Sequence, residues 1–181
     1  MGMMRTWAVC AGITAWLLSG LAHAQTPWAD WDYKFDQEIT PWAEVQTQIP
    51  AYPDDANLIR LDVGSATQHR FYVDAKSLSV GNDGVVRYTL VIRTAGGATN
   101  VSFEGIRCES GEQKYYAIGR SDRTWVRARN PQWRRIELRE FSPYHFTLQA
   151  EYVCRGKLIA GTAEQIVAAL RRGPKQPSVV D

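Results

Sequence analysis

The sequence predicts a single α+β domain, an antiparallel sheet with a C-terminal helix, or two, packed on it and one disulfide. Three observations carry this. From Asn57 to Gly119, short runs alternate apolar and polar residues and are separated by Gly/Asn/Asp turns. Near the C-terminus a capped amphipathic stretch reads as a helix. Once a leader is set aside, two cysteines remain, Cys108 and Cys154. The chain has 181 residues, with 21 Lys plus Arg against 19 Asp plus Glu and 45% hydrophobic residues. That length suits one domain, and the near-balance excludes an acidic disordered chain or a polybasic tail.

Met1 to Ala24 has the layout of a secretory signal peptide. Arg5 gives the positive n-region, Trp7 to Leu21 the uncharged apolar run, and Ala22-His23-Ala24 the small-x-small cleavage site. Cleavage after Ala24 makes the periplasm the expected location. The apolar run is short for a spanning helix, and no second one follows, so no transmembrane segment is expected in the mature chain. Cys10 lies inside the run rather than after it, which argues against lipidation. In an oxidising compartment Cys108 and Cys154 are expected to form a structural bridge. No CxxC pattern and no neighbouring histidine supports a catalytic or metal-binding pair.

Residues 25–55 form an acidic N-terminal arm rich in tryptophan and proline. Seven carboxylates (Asp30, Asp32, Asp36, Glu38, Glu44, Asp54, Asp55) face one base, Lys34. Thr40-Pro41 has the residues to start a short helix. Trp28, Trp31 and Trp42 would be a liability in water, so the arm is expected to pack against the body, the globular α+β domain of residues 56–173.

Within the body, Ile59, Leu61 and Val63 alternate with Arg60 and Asp62 as on a half-buried strand, and Phe71 and Val73 mark a second. Ser77 to Val80 and Val85 to Thr94 flank Gly81-Asn82-Asp83-Gly84, a strong hairpin signal. Ala95-Gly96-Gly97-Ala98 is the next turn. The following strand starts with Val101 and Phe103 inward and ends with Ile106 and Cys108 inward, which predicts a bulge near Gly105. Gln113 to Ile118 is a further strand.

Residues 120–139 carry seven arginines, with Asp122 and Glu137 the acids and Trp125 and Trp133 interleaved. For residues 143–154, Ser142-Pro143 favours a helix, while Tyr144, Phe146, Leu148, Ala150, Tyr152 and Cys154 alternate as a strand would. Thr162-Ala163-Glu164-Gln165 is a capping box, Ile166, Val167 and Leu170 make an apolar stripe, and Gly173-Pro174 ends the helix. Residues 174–181 are expected to be a disordered tail.

The sequence contains no nucleophile elbow, HExxH, P-loop or dinucleotide fingerprint, and no cofactor or metal is expected. His69 beside Arg70 reads as a surface residue and His145 as a packed or capping one. The feature with functional content is the Arg/Trp segment. Arg127, Arg129, Arg134 and Arg135, with Trp125 or Trp133 stacking, are the candidate site for an anionic envelope component. Export makes nucleic acid a poor partner. A simpler reading pairs these arginines with the arm's own acids, Asp30, Asp32 and Asp36 among them. The alternative to a non-enzymatic binding or envelope-structural protein is a hydrolase of envelope material using Glu104 or Asp74.

The run from Val73 to Arg93 (VDAKSLSVGNDGVVRYTLVIR), then Asn100 to Cys108 (NVSFEGIRC) and Tyr116-Ala117, resembles the cryptic neisserial protein-like family. Trp42-Ala43-Glu44, Ile49 to Tyr52, Asn57-Leu58-Ile59, Cys154 and the final helix fit it as well. The resemblance implies a small exported proteobacterial protein of uncharacterised activity and offers no catalytic residues. Some members of that family are thought to be lipoproteins, and the absence of a lipobox here departs from them. Charge is divided along the mature chain. Residues 25–112 hold thirteen acids and seven bases, residues 113–181 six acids and thirteen bases.

Overall fold

The alternating runs between Asn57 and Gly119 form strands, and these pair in chain order. The structure is a computed structural model that describes residues 41–65, 67–137 and 144–174. The expected signal peptide, the first part of the arm through Thr40 and the tail from Lys175 lie outside the described residues, as do Arg139 and Ser142-Pro143. From Trp42 onward the chain makes one compact unit.

The sheet contains β1 (Leu58–Leu61), β2 (Arg70–Val80), β3 (Val85–Arg93), β4 (Thr99–Arg107), β5 (Glu112–Gly119), β6 (Trp125–Arg127) and β7 (Arg134–Arg135). β1 to β6 lie side by side in that order, all antiparallel, and β7 pairs with the start of β5. The β2–β3 turn closes as its residues predict. Gly84 takes φ 75°, a left-handed value that glycine adopts at little cost. β2 is one strand with an irregularity between Asp74 and Ser79, not two. The Asp74 carboxylate accepts from the Lys76 and Ser77 amides, and the Ser77 hydroxyl accepts from the Thr89 amide.

One face of the sheet carries Leu61, Phe71, Val73, Val86, Tyr88, Leu90 and Ile106 and packs on a helical layer. That layer starts at α1 (Tyr144–Thr147), which continues as a π-helical stretch, Leu148–Val153. Of the two readings for residues 143–154, the helical one is adopted over residues 144–153, and Cys154 begins a strand. Tyr144, Leu148 and Tyr152, one helical turn apart, are all buried. A small hairpin, β8 (Cys154–Arg155) with β9 (Leu158–Ile159), leads to α2 (Ala163–Arg172). α2 has its capping box at Thr162 and Gln165, buries Ile166 and Leu170, and ends at Gly173. The Cys108–Cys154 disulfide, with Cα atoms 5.6 Å apart, ties the end of β4 to this layer.

The other face is covered by the described part of the arm. Val85, Val101 and Phe103 are buried there. A Cβ on Gly119 would lie 2.8 Å from the Tyr52 ring, which shows how closely the arm approaches the sheet.

Two expectations are corrected. No helix begins at Pro41 in the described residues, because the arm's backbone bonds outward instead. The Val45 amide donates to Asp83 Oδ2 at 2.9 Å, and the Val45 carbonyl accepts from Arg87 at 3.3 Å. Nor is there a bulge at Gly105, since the β3–β4 register runs unbroken from Val85↔Arg107 to Arg93↔Thr99. The apparent phase slip arises because both faces of β4 are buried and Ser102 and Glu104 occupy helix-facing positions. The irregularity lies in β5, where Tyr115 pairs with Glu104 and Ala117 with Phe103, leaving Tyr116 as the extra residue.

The bridge closes a loop between residues 46 positions apart. In the chain-entropy model the Cys108→Ala/Cys154→Ala variant is expected to lose on the order of 4 kcal/mol of stability. Urea unfolding of the two proteins checks this, with no shift in midpoint as the contrary outcome. Gly105→Ala is also expected to destabilise, by about 1–3 kcal/mol. Its Cβ would meet the Tyr116 ring at 2.9 Å and Val85 at 3.0 Å.

Candidate functional site

Two polar assemblies, one on each sheet face, account for most of the buried charge among the described residues, and the arm-side one borders an open cleft. On the helix-facing side, strand register sets Tyr88, Glu104 and Tyr115 in a row across β3, β4 and β5. Glu104 is fully buried. Its Oε2 accepts from the Tyr88 hydroxyl at 3.0 Å and lies 2.8 Å from His145 Nε2. Its Oε1 accepts from Ser102 and, at 3.5 Å, from Tyr144, whose hydroxyl lies 2.7 Å from that of Tyr115. Burial, then the Glu104 charge, pushes the Tyr88 and Tyr144 hydroxyls well above the ordinary phenol range, so both remain protonated. The carboxylate joins the sheet to α1 and has no open approach.

On the arm side, Glu44 receives Lys114 at 2.6 Å, Tyr116 at 2.6 Å and Trp133 Nε1 at 3.2 Å. Asp83 receives Arg87 Nη2 at 2.6 Å together with the Val45 amide, while its own carbonyl accepts from Trp42 Nε1 at 2.7 Å. Trp42 also packs edge-on against Trp133 and lies under the Arg107 guanidinium, 4.0 Å from the ring centre. Burial would raise the Glu44 carboxyl, but the bonds from Lys114, Tyr116 and Trp133 outweigh it and hold the group below its usual range. Asp83 is held low in the same way by Arg87 and two backbone amides, against the effect of burial.

Beside this lock lies a cleft of about 350 Å³, bounded by arm residues Glu44 to Thr47 and Ile49, by Lys114 and Tyr116 of β5, and by Arg127, Ala128 and Pro131. Arg127 sits in register with Ala117 and Phe103 on the arm side. Arg127, Arg129, Arg134 and Arg135 are all exposed, and no ion pair joins any of them to an acid among the described residues. Strand alternation divides them. Arg135 lies opposite Glu112, in the same arm-side register as Arg127, while Arg134 lies opposite Gln113 on the helix side. Both tryptophans are partly buried, Trp133 against Trp42 and Tyr116, and Trp125 against Tyr52. Asp30, Asp32 and Asp36 lie outside the described residues. Of the described arm acids, Glu44 takes Lys114 and Asp55 takes Arg93, while Asp54 accepts from the Ala56 amide.

A family model matches residues 37–171. The chain belongs to the CNP1-like family. No curated protein and no solved structure matches it. Within this CNP1-like chain, both carboxylates singled out for hydrolysis have structural duties. Glu104 is buried, and each Asp74 oxygen accepts a backbone amide inside β2. Asp54, which borders a shallow cleft with Asp74, caps the short 3₁₀ turn Asp55–Asn57 through the Ala56 amide. Among the described residues no group of three or more His, Cys, Asp or Glu side chains is placed to hold a metal ion.

The locks built on Glu44, Asp83 and Arg87 went unread in the sequence, because the partners are about forty to ninety positions apart. The one local signal was Asp83-x-x-x-Arg87 across the hairpin turn. Because the folded-state pKa values of Glu44 and Asp83 are depressed, their stabilisation is present above the unfolded carboxylate range and is lost as pH falls through the folded values. Comparing urea midpoints of the native chain and Glu44→Gln should therefore show a gap that is full near pH 7 and closes below about pH 4, the ordinary carboxylate range. A gap independent of pH would contradict the assignment.

Proposed function

We propose that this chain is a non-enzymatic binding protein of the cell envelope, exported through its leader, that holds an anionic partner at the cleft between arm and sheet. Arg127, which lines the cleft, is the anchoring charge, with Arg129 two residues further along the chain, Arg135 on the same sheet face and Arg134 on the other. The observation that carries this reading is the contrast between two cations at one cleft. Lys114 is neutralised by Glu44, whereas Arg127 has no acidic partner among the described residues. A guanidinium with its planar fork open is suited to carboxylate, sulfate or phosphate groups. Trp125 and Trp133 support the site by packing the arm, because their rings are largely taken up by Tyr52, Tyr116 and Trp42. The disulfide is consistent with an oxidising compartment, and no described helix is long and apolar enough to cross a membrane.

Retention of the mature chain on a heparin column tests the reading. The Arg127→Ala/Arg135→Ala variant is expected to elute at clearly lower salt, with a shallower dependence on ionic strength, and Arg134→Ala alone close to the native position. Unchanged elution of the double variant would refute it.

A further inference from the structure

A second cluster of arginines lies in a different cleft, at the opposite end of the arm's contact with the sheet. The end of β3, the start of β4 and the β5–β6 hairpin meet there. Arg93 pairs with Thr99 in strand register, and Val101 pairs with Gly119, which leads directly into Arg120. The cleft has a volume of about 410 Å³ and is lined by Arg93, Arg120 and Arg123, with Ser121, Thr99 and Tyr52.

The hairpin that supplies two of these arginines is tightly built. The Arg120 amide donates to the Thr124 carbonyl, and the Arg123 amide to the Arg120 carbonyl. Asp122 is engaged by the Thr124 amide at 3.0 Å and the Thr124 hydroxyl at 2.6 Å. Tyr52 Oη donates to the Arg120 carbonyl at 3.0 Å, fixing the hairpin to the arm. Arg123 has φ 63°, the one non-glycine among the described residues in the left-handed region. Glycine would hold that backbone without strain, but it would not lay a guanidinium over the Tyr52 ring, 5.3 Å from its centre, as Arg123 does. Arg123 also donates to the Pro53 carbonyl at 3.2 Å, which orients its fork beside the cleft.

Among the lining residues, one carboxylate opposes three guanidinium groups. It is Asp55, 2.7 Å from Arg93, with 81% of its side chain exposed. A pair that open to water is readily exchanged for a better anion.

We propose that this cleft binds the phosphoryl group of a small ester or a lipid headgroup, with Arg93, Arg120 and Arg123 as its three arms. Three guanidinium groups and two hydroxyls lining one cleft suit a tetrahedral dianion, which can accept from several directions at once. The site is separate from the Arg127 cleft and stands or falls independently of it.

Thermal denaturation of the mature chain in inorganic phosphate, against chloride at equal ionic strength, tests this, with affinity measured by titration calorimetry. A saturable rise in Tm with phosphate is expected. Arg120→Ala and Arg123→Gly should each weaken binding by about tenfold or more, the loss of a charged hydrogen bond, and Arg127→Ala should leave it unchanged. Arg123→Gly gives up the Tyr52 and Pro53 contacts but relieves the left-handed backbone, so its own Tm without phosphate should change little, which separates lost binding from lost fold. No phosphate effect, binding that survives in the Arg120→Ala/Arg123→Gly double variant, or binding lost in Arg127→Ala would each overturn the proposal. Co-sedimentation with phosphatidylcholine vesicles containing phosphatidic acid, abolished by the same double variant, would identify a lipid headgroup. Phosphate binding without vesicle binding would identify a soluble ester.

Discussion

β3 is buried on both faces along most of its length, and a strand in that position needs two covers. One cover is conventional, a helical layer stapled to β4 by the disulfide. The other is a stretch of arm with no secondary structure of its own, and such a segment satisfies few of its backbone groups internally. Glu44 and Asp83 resolve this. Glu44, on the arm, collects Lys114, Tyr116 and Trp133 from the body, while Asp83, in the β2–β3 turn, collects the Val45 amide from the arm and Arg87 from β3 on its carboxylate and Trp42 on its backbone carbonyl. Both clefts considered for binding are edges of this arm–sheet contact and exist only while the arm is docked.

The helix-facing side uses the same device at greater depth. Glu104 takes a place that a branched aliphatic residue would ordinarily fill. A buried carboxylate is tolerable only when its lone pairs are satisfied, and Tyr88, Ser102, Tyr144 and His145 do so from sheet and helix together. This network fixes where α1 sits over β4 more sharply than apolar packing alone would, because a shifted helix would leave the charge unpaired.

What could be read in advance follows from the range of each interaction. Period-two alternation and the Gly81–Gly84 turn specify the central hairpin locally, and the capping box and Gly173 specify α2. The cysteine pair is legible because only Cys108 and Cys154 remain once the expected leader is set aside, and two thiols leave a single pairing. The expected bulge near Gly105 is absent because Val101 and Phe103 lie on one buried face of a regular strand and Ile106 on the other, so that taking all of them as inward implies a phase slip. The arm's path was illegible beyond its need to pack, since Trp42 and Glu44 find partners far along the chain. The Arg/Trp run was visible as composition. Its division by strand alternation, Arg127 and Arg135 to one side and Arg134 to the other, requires the pairing with β5. The second arginine cluster was invisible, because Arg93 comes from a different strand than Arg120 and Arg123.

For this CNP1-like chain the binding readings thus depend on one physical claim, that residues 42–53 form the second cover of the sheet. Nuclear Overhauser contacts in the protein at neutral pH test it most directly. The account predicts strong cross-peaks from the Tyr52 ring to the Gly119 α-protons and from the Trp42 ring to Trp133, as the close approaches at those pairs require. Sharp, averaged Trp42 and Tyr52 resonances without those cross-peaks, in a protein whose β3–β4 contacts are intact, would contradict it.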